Sequence, residues 1–231
     1  MQAYLPVLKR SVLFKGVAES EILSMMSCLA ARVKTYEKGE MILNQGERVQ
    51  DILLMLKGEA HVQSVDYWGS RSILGHITQG DMFAESYVSP NSGALQSDVI
   101  AVEKSTVAFF DVRRIITTCS AACRFHQMVT QNLFFALSEK NQKLVSKIRH
   151  ISGRTTRAKL ISYLSEESKQ HSKNEFTIPF NRQQLADYLS VDRSAMSLEL
   201  CKMRDMGMLE FDKNRFRLIE TSGAEYGKDD F

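Results

Sequence analysis

The stretch from 181 to 200 decides the reading: Asn181-Arg182-Gln183-Gln184-Leu185-Ala186-Asp187-Tyr188-Leu189-Ser190-Val191-Asp192-Arg193-Ser194-Ala195-Met196-Ser197-Leu198-Glu199-Leu200. It divides into two short helices about a tight turn. Asn181 can cap the first helix, and Gln184, three residues on, completes a capping box. Leu185 and Leu189 share a face, and small Ala186 lets a second helix approach closely. The turn 189–191 sets Val191 between the helices. Asp192 caps the second helix, whose inward face is Met196, Leu200 and Met203. That leaves Arg193, Ser194 and Ser197 outward at its N-terminal end, the end a recognition helix places against base edges in the major groove. Two core helices of no special purpose would show the same apolar spacing. The caps, the basic first turn and the segment that follows separate the two readings.

That segment, Phe211-Asp212-Lys213-Asn214-Arg215-Phe216-Arg217-Leu218, alternates about a Lys213-Asn214 turn, as a small hairpin does. It would be a wing, with Lys213 and Arg215 near phosphate. Upstream, the pattern predicts a short helix over 156–165 with Ala158, Leu160, Ile161 and Leu164 inward, and a short strand over 176–180. Residues 221–231 lack apolar periodicity and are expected to be a loose tail.

Further toward the N-terminus, glycine is absent between Ser120 and Gly153. Across this gap Phe134, Leu137, Asn141, Leu144 and Ile148 alternate by three and four, the spacing of a seam between paired helices. A single Asn141 in such a seam fixes register. A core helix within one domain is the alternative. Ile151-Ser152-Gly153 reads as a break.

From Arg32 to Phe110 the texture differs. Short apolar stretches (41–43, 52–56, 73–74, 107–110) are punctuated by Gly39, Gly46, Gly58, Gly69 and Gly80. Evenly spaced turn signals predict short antiparallel strands in a barrel or sandwich. The first thirty residues look helical, with Ile22, Leu23, Met26 and Leu29 on an amphipathic spacing.

The chain has 231 residues, 44% hydrophobic and 25% charged, which suits a folded protein and excludes a disordered or collagen-like one. No apolar run approaches the ~20 residues of a membrane helix. The start, Met1-Gln2-Ala3-Tyr4-Leu5-Pro6, carries no basic segment before an apolar core, and four irregularly spaced cysteines do not make a disulfide scaffold. A cytoplasmic location and no membrane partner are expected. The net charge of +3 is unevenly spread: 1–137 is neutral, 138–220 carries +5 and the tail −2. A basic rear half is consistent with a polyanionic partner. There is no paired carboxylate and histidine at working spacing, no phosphate-binding loop and no zinc motif, so an enzyme is not expected.

The run 181–209, with Met203, Gly207 and Leu209 continuing it, resembles the DNA-binding domain of the CRP/FNR family of bacterial transcription regulators. The glycine-spaced region 33–110 resembles that family's cyclic-nucleotide-binding-type β-roll, and 120–150 stands where its dimerisation helix lies. The resemblance covers about residues 10–220. It implies an α+β chain: an effector-sensing β-roll over 1–119, a dimerisation helix and hinge over 120–151, and a winged helix-turn-helix over 152–220. It further implies a homodimer on double-stranded DNA with an inverted-repeat operator, contact with RNA polymerase, and a small-molecule or gas effector sensed by the β-roll. Arg182 and Gln183 resemble positions that hold the phosphate backbone. The family's arginine at the second outward recognition position is Leu198 here, which leaves Arg193 to read guanine, with Ser194 and Ser197 secondary.

The effector pocket implied by the resemblance comprises Gly80, Phe83, Glu85, Gln96 and Ser97. Gly80-Asp81-Met82-Phe83 and Glu85 resemble the start of the phosphate cassette of cyclic-AMP binders, but position 84 is Ala rather than Gly. Where an Arg-Ser pair would stand, counting back from Val107, the chain reads Leu95-Gln96. No cation lies between Ala84 and Val102, and a buried phosphate needs one or several N–H donors, so cyclic AMP is not expected. Cys28, Cys119, Cys123 and Cys201 lack the clustering of the iron–sulfur branch. In the haem branch the ligand positions correspond to Ala84 and Ser86, neither of which binds iron. His61, His76 and His126 leave a different haem geometry open. The alternatives are a haem- or redox-responsive sensor of the same family, and a regulatory module that binds no DNA.

Overall fold

The five consecutive apolar residues 52–56 are all fully buried, because the strand they form has a core on each face. The computed structural model describes residues 1–65, 67–68, 71–89, 91–117 and 124–219. These fall into two units, Met1–Glu139 and Lys140–Phe231. The first unit opens with α1 (Leu5–Arg10) and α2 (Glu19–Cys28). Its strands are β1 (Arg32–Tyr36), β2 (Met41–Leu43), β3 (Asp51–Lys57), β4 (Ala60–Val65), β5 (Arg71–Ile77), β6 (Met82–Phe83), β7 (Asp98–Ala101) and β8 (Ser105–Asp111). They make two antiparallel four-stranded sheets, in the orders β1-β8-β3-β6 and β2-β7-β4-β5.

Successive side chains in a strand point to opposite faces. In β3, Leu53 and Met55 join Tyr36, Leu43, Phe83, Val99 and Val107 in one core. Ile52, Leu54 and Leu56 join Leu8, Leu13, Phe14 and Ile22 from the N-terminal helices in the other. A strand buried on both faces needs a continuous apolar run rather than alternation. The β3–β4 turn admits only glycine: Gly58 has φ +86, and a Cβ there would stand 2.8 Å from the Lys104 carbonyl oxygen.

After β8 come α3 (Val112–Ile116) and the 28-residue α4 (Arg124–Ile151). Val129, Leu133 and Ala136 of α4 pack into the same core as the N-terminal helices.

The second unit contains α5 (Thr156–His171), β9 (Glu175–Thr177), α6 (Arg182–Leu189), α7 (Arg193–Asp205), β10 (Leu209–Asp212) and β11 (Arg215–Leu218), with strand order β10-β11-β9. Its core joins Leu160 and Leu164 of α5 to Leu185, Leu189, Met196, Leu200, Met203 and Phe216. At ~1.5–3 kcal/mol for each large side chain removed from water, this cluster is the main stabilising contribution of the unit.

Several sequence expectations are revised. α5 extends to His171, beyond the expected 165, because its apolar stripe runs out before its helix-forming residues do. Its inward face includes Tyr163, while Ala158 and Ile161 are only half-buried. The strand expected over 176–180 is Glu175–Thr177; Pro179 has no N–H to extend a ladder. The wing hairpin starts at Leu209, two residues earlier than read. Strands β1, β4 and β7, rich in polar residues on one face, gave no apolar run to find. The expected tail at 221–231, the first residues of the expected 120–151 segment, Gly69, Cys119 and Cys123 lie outside the described residues.

Candidate nucleic-acid interface

The helix-turn-helix is built by local chemistry. Asn181 Oδ1 accepts from the Gln184 N–H and Gln184 Oε1 accepts from the Asn181 N–H, both at 2.9 Å. This reciprocal box satisfies two donors of the first turn of α6 and contributes about 1 kcal/mol. α6 ends on Ser190 in the left-handed region (φ 52), and the Val191 N–H returns to the Ala186 carbonyl at 3.0 Å. Asp192 Oδ1 caps α7 through the Ala195 N–H at 2.8 Å. Gly207, at φ +72, ends the helix as the Met208 N–H bonds the Met203 carbonyl at 3.0 Å. Val191 is half-buried against the core rather than enclosed between the helices.

Arg193, Ser194 and Leu198 are exposed on α7. Ser197 is half-buried and its hydroxyl donates to the Arg193 carbonyl at 2.9 Å. Among the described residues, Arg193 makes no ion pair, and neither does Lys213 at the hairpin tip. Other candidates are engaged. Gln183 donates to Asp187 at 2.8 Å, and Arg215 pairs with Glu175 across the β9–β11 ladder. The Arg182 guanidinium lies 4.8 Å from the Phe211 ring centre and 5.1 Å from that of Phe216. Burial lowers its pKa, yet an arginine stays charged.

Three supports escaped the sequence reading. Arg157 Nε on α5 meets Glu199 on α7 at 2.5 Å. Lys159 Nζ donates to the carbonyls of Leu189 and Ser190, 3.2 Å each, at the helix-turn-helix turn. The buried His150, in the last turn of α4, meets the Tyr188 hydroxyl at 3.0 Å and Glu166 at 3.2 Å. These are long-range pairings; only an opposite-charge census between helices could have suggested the first.

Along α4, Phe134, Leu137, Asn141, Leu144 and Ile148 are all exposed, Phe134 at 65% and Leu144 at 60%. Phe135 and Val145 beside them are exposed as well. The helix thus carries one buried apolar stripe, through Val129, Leu133 and Ala136, and a second that is open.

In the first unit, Gly80 and Phe83 flank a turn whose Thr78 backbone and hydroxyl both donate to Asp81 at 2.8 Å. Phe83 fills the inter-sheet core. Ala84 sits at φ 66, ψ 0 and starts a single 3-10 turn holding the buried Glu85. Gln96 is exposed and Ser97 half-buried, in a segment tied to 44–47 through the Leu95 N–H on Glu47 and the Gln45 N–H on Asp98. His61 and His76 oppose each other across β4 and β5, ring centres 4.4 Å apart. His126 is buried with Nε2 on the Arg114 carbonyl. Cys28 is exposed and Cys201 half-buried. No group of three or more His, Cys, Asp or Glu is placed to hold a metal among the described residues, and none of the described helices is long and apolar enough to cross a membrane.

A two-sheet β-roll ahead of a winged helix-turn-helix defines a DNA-binding regulator as a class. Residues 33–121 match the cyclic nucleotide-binding domain and residues 158–223 the Crp-like helix-turn-helix domain. The fold is similar to that of the catabolite activator protein of Thermus thermophilus, with a TM-score of 0.54, 20% identity, and coverage of 91% of this chain and 94% of that one. It is similar also to the c-di-GMP-responsive global regulator CLP of Xanthomonas campestris, with a TM-score of 0.51, 13% identity, and coverage of 86% and 100%. No curated protein sequence matches the chain. With these two domains in this order, the chain belongs to the CRP/FNR family of transcription regulators.

Proposed function

We propose that the chain binds an inverted-repeat DNA site as a homodimer, with α7 of each copy in the major groove, and that an effector received by the β-roll controls binding. The observation that carries this is Arg193: exposed, without an ion pair among the described residues, and set in the first turn of α7 by the Asp192 cap. An arginine so placed can take guanine O6 and N7 together. Ser194 and Ser197 add weaker base contacts, and Leu198 offers a methyl surface to thymine. Lys213 has its ammonium open for phosphate, while Arg182, Gln183 and Arg215 would reach the backbone only by sharing or leaving their present partners. The open stripe Phe134, Leu137, Leu144 and Ile148, with Asn141 at its centre, is the proposed dimer seam, since monomers rarely leave such a patch uncovered. On this reading, 1–119 senses, 120–151 pairs the copies and 152–220 reads DNA, in the cytoplasm and alongside RNA polymerase.

The effector is proposed to be other than cyclic AMP. The residues present do not fit a cyclic-nucleotide phosphate: no cation lies between 84 and 102, and Phe83 is committed to the core. Selection of random-sequence DNA by the full chain tests the reading. Enrichment of an inverted repeat with half-sites about one helical turn apart (~34 Å) is the expected result. Retention without sequence enrichment, or no retention, would refute it in favour of a regulatory module that does not read DNA.

A further inference from the structure

The unit Met1–Glu139 contains a cavity of about 270 Å³ that is lined by none of Gly80, Phe83, Glu85, Gln96 or Ser97. One wall is Val49, ahead of β3. A second is Val112 and Ile116 of α3. The third is Tyr87 and Val88, just past the 3-10 turn. Arg48, Arg113 and Ser89 also line it.

The walls are held in place. The Val112 N–H donates to the Gln50 carbonyl at 3.2 Å, and Asp51 stands opposite Asp111 where β3 pairs with β8. The Ser92 hydroxyl bonds the Ser89 carbonyl at 2.6 Å and the Tyr87 carbonyl, closing the third wall. Arg113 is oriented by Asp111, through Nε at 3.3 Å and a terminal nitrogen at 3.1 Å, which leaves the rest of its fork open. Arg48 is exposed and makes no ion pair among the described residues. Asp111 offsets Arg113, and Asp51, whose charge also reaches Arg113, is paired with Arg32, which leaves the charge of Arg48 without an ion-pair partner among the described residues. Apolar walls with a few convergent polar groups are the usual make-up of a ligand site, and this volume lies at the small end of the ~300–1,000 Å³ range.

We propose that this cavity binds a small organic monoanion: a carboxylate on a single-ring or branched apolar body. The carboxylate sits between Arg48 and Arg113, where a planar fork offers paired donors. The body lies against Val49, Val88 and Val112. The third wall continues directly from the turn that carries Glu85, so occupancy would act on the cassette. That regulatory role rests on the transcription-regulator reading; binding itself does not.

Calorimetry of the full chain with benzoate, neutral benzamide and inorganic phosphate tests the site. Benzoate should bind, and benzamide about tenfold or more weaker, since it lacks the charge-assisted hydrogen bonds. Arg48→Gln, which breaks no ion pair, should lower benzoate affinity about tenfold with an unchanged circular dichroism spectrum. Ser89→Phe, which adds a ring to the lining of the cavity, should abolish binding. No benzoate binding to the parent, equal affinity for benzoate and benzamide, phosphate binding as tight as benzoate, or unchanged affinity in both variants would each overturn the proposal. Titration of the same preparation with a selected DNA site separates the two readings. DNA binding without benzoate binding refutes the cavity alone; benzoate binding without DNA binding refutes the regulator reading alone.

Discussion

His150 Nδ1 and the Tyr188 hydroxyl oxygen stand 3.0 Å apart, joining the last turn of α4 to α6. Glu166 completes the cluster: it lies 3.2 Å from His150 Nε2, 3.0 Å from Arg149, and accepts from Ser146 at 2.8 Å. Burial opposes its charge, but the hydrogen bonds from Ser146 and His150 and the nearby Arg149 outweigh that, and its pKa is lowered. A carboxylate lowered on folding contributes stability that is present above its unfolded value of ~4.3 and lost as pH falls through the folded value. The urea midpoint of the chain should therefore fall as pH drops below ~4.3, and fall less in Glu166→Gln. Parallel pH profiles for the two proteins would contradict the assignment.

Arg182 covers the wing rings of Phe211 and Phe216 and is also proposed to hold phosphate. Its position over Phe211 and Phe216 predicts that Arg182→Ala costs about 1–2 kcal/mol of stability, read by chemical denaturation. If it also touches a phosphate, DNA affinity should fall alike on all sequences and the salt slope should flatten by about one. A stability loss with an unchanged salt slope would leave it a packing residue only.

Ala84 holds a left-handed conformation at φ 66, which costs an L-residue about 1–2 kcal/mol. Glycine avoids that cost but loses more chain entropy on folding. Ala84→Gly should therefore raise stability by up to about 1 kcal/mol. A measured decrease would show that the alanine methyl makes a contact worth more than the strain.

How far the sequence was legible follows from where each signal is stored. Caps and turns are local, so Asn181, Gln184, Asp192 and the Lys213-Asn214 hairpin could be read from spacing alone. The proposed seam on α4 was legible as a period, and its residues are exposed; the neighbouring stripe, Val129, Leu133 and Ala136, was not, because it packs on a surface assembled from the N-terminal helices and distant strands. The polar face of β4 and the short β7 hid both from an apolar scan. His150, Lys159 and the Arg157–Glu199 pair depend on helices meeting in space. The cavity beside Arg48 and Arg113 joins segments about sixty residues apart by their numbering, and no spacing rule reaches that far.

The open stripe on α4 predicts that Leu144→Asp separates the subunits and abolishes tight binding to a full operator. Analytical ultracentrifugation with an operator titration checks both. A variant that stays dimeric places the seam elsewhere. A monomer that binds the full site as tightly as the parent contradicts paired reading.

The most direct test of the central claim is the base-resolved affinity of Arg193→Ala against single-base variants of a selected operator. A base-reading role for Arg193 predicts a loss of ~1–3 kcal/mol per half-site, confined to discrimination at one guanine, with the salt slope retained. An equal loss on operator and random DNA, or no loss at all, would contradict it.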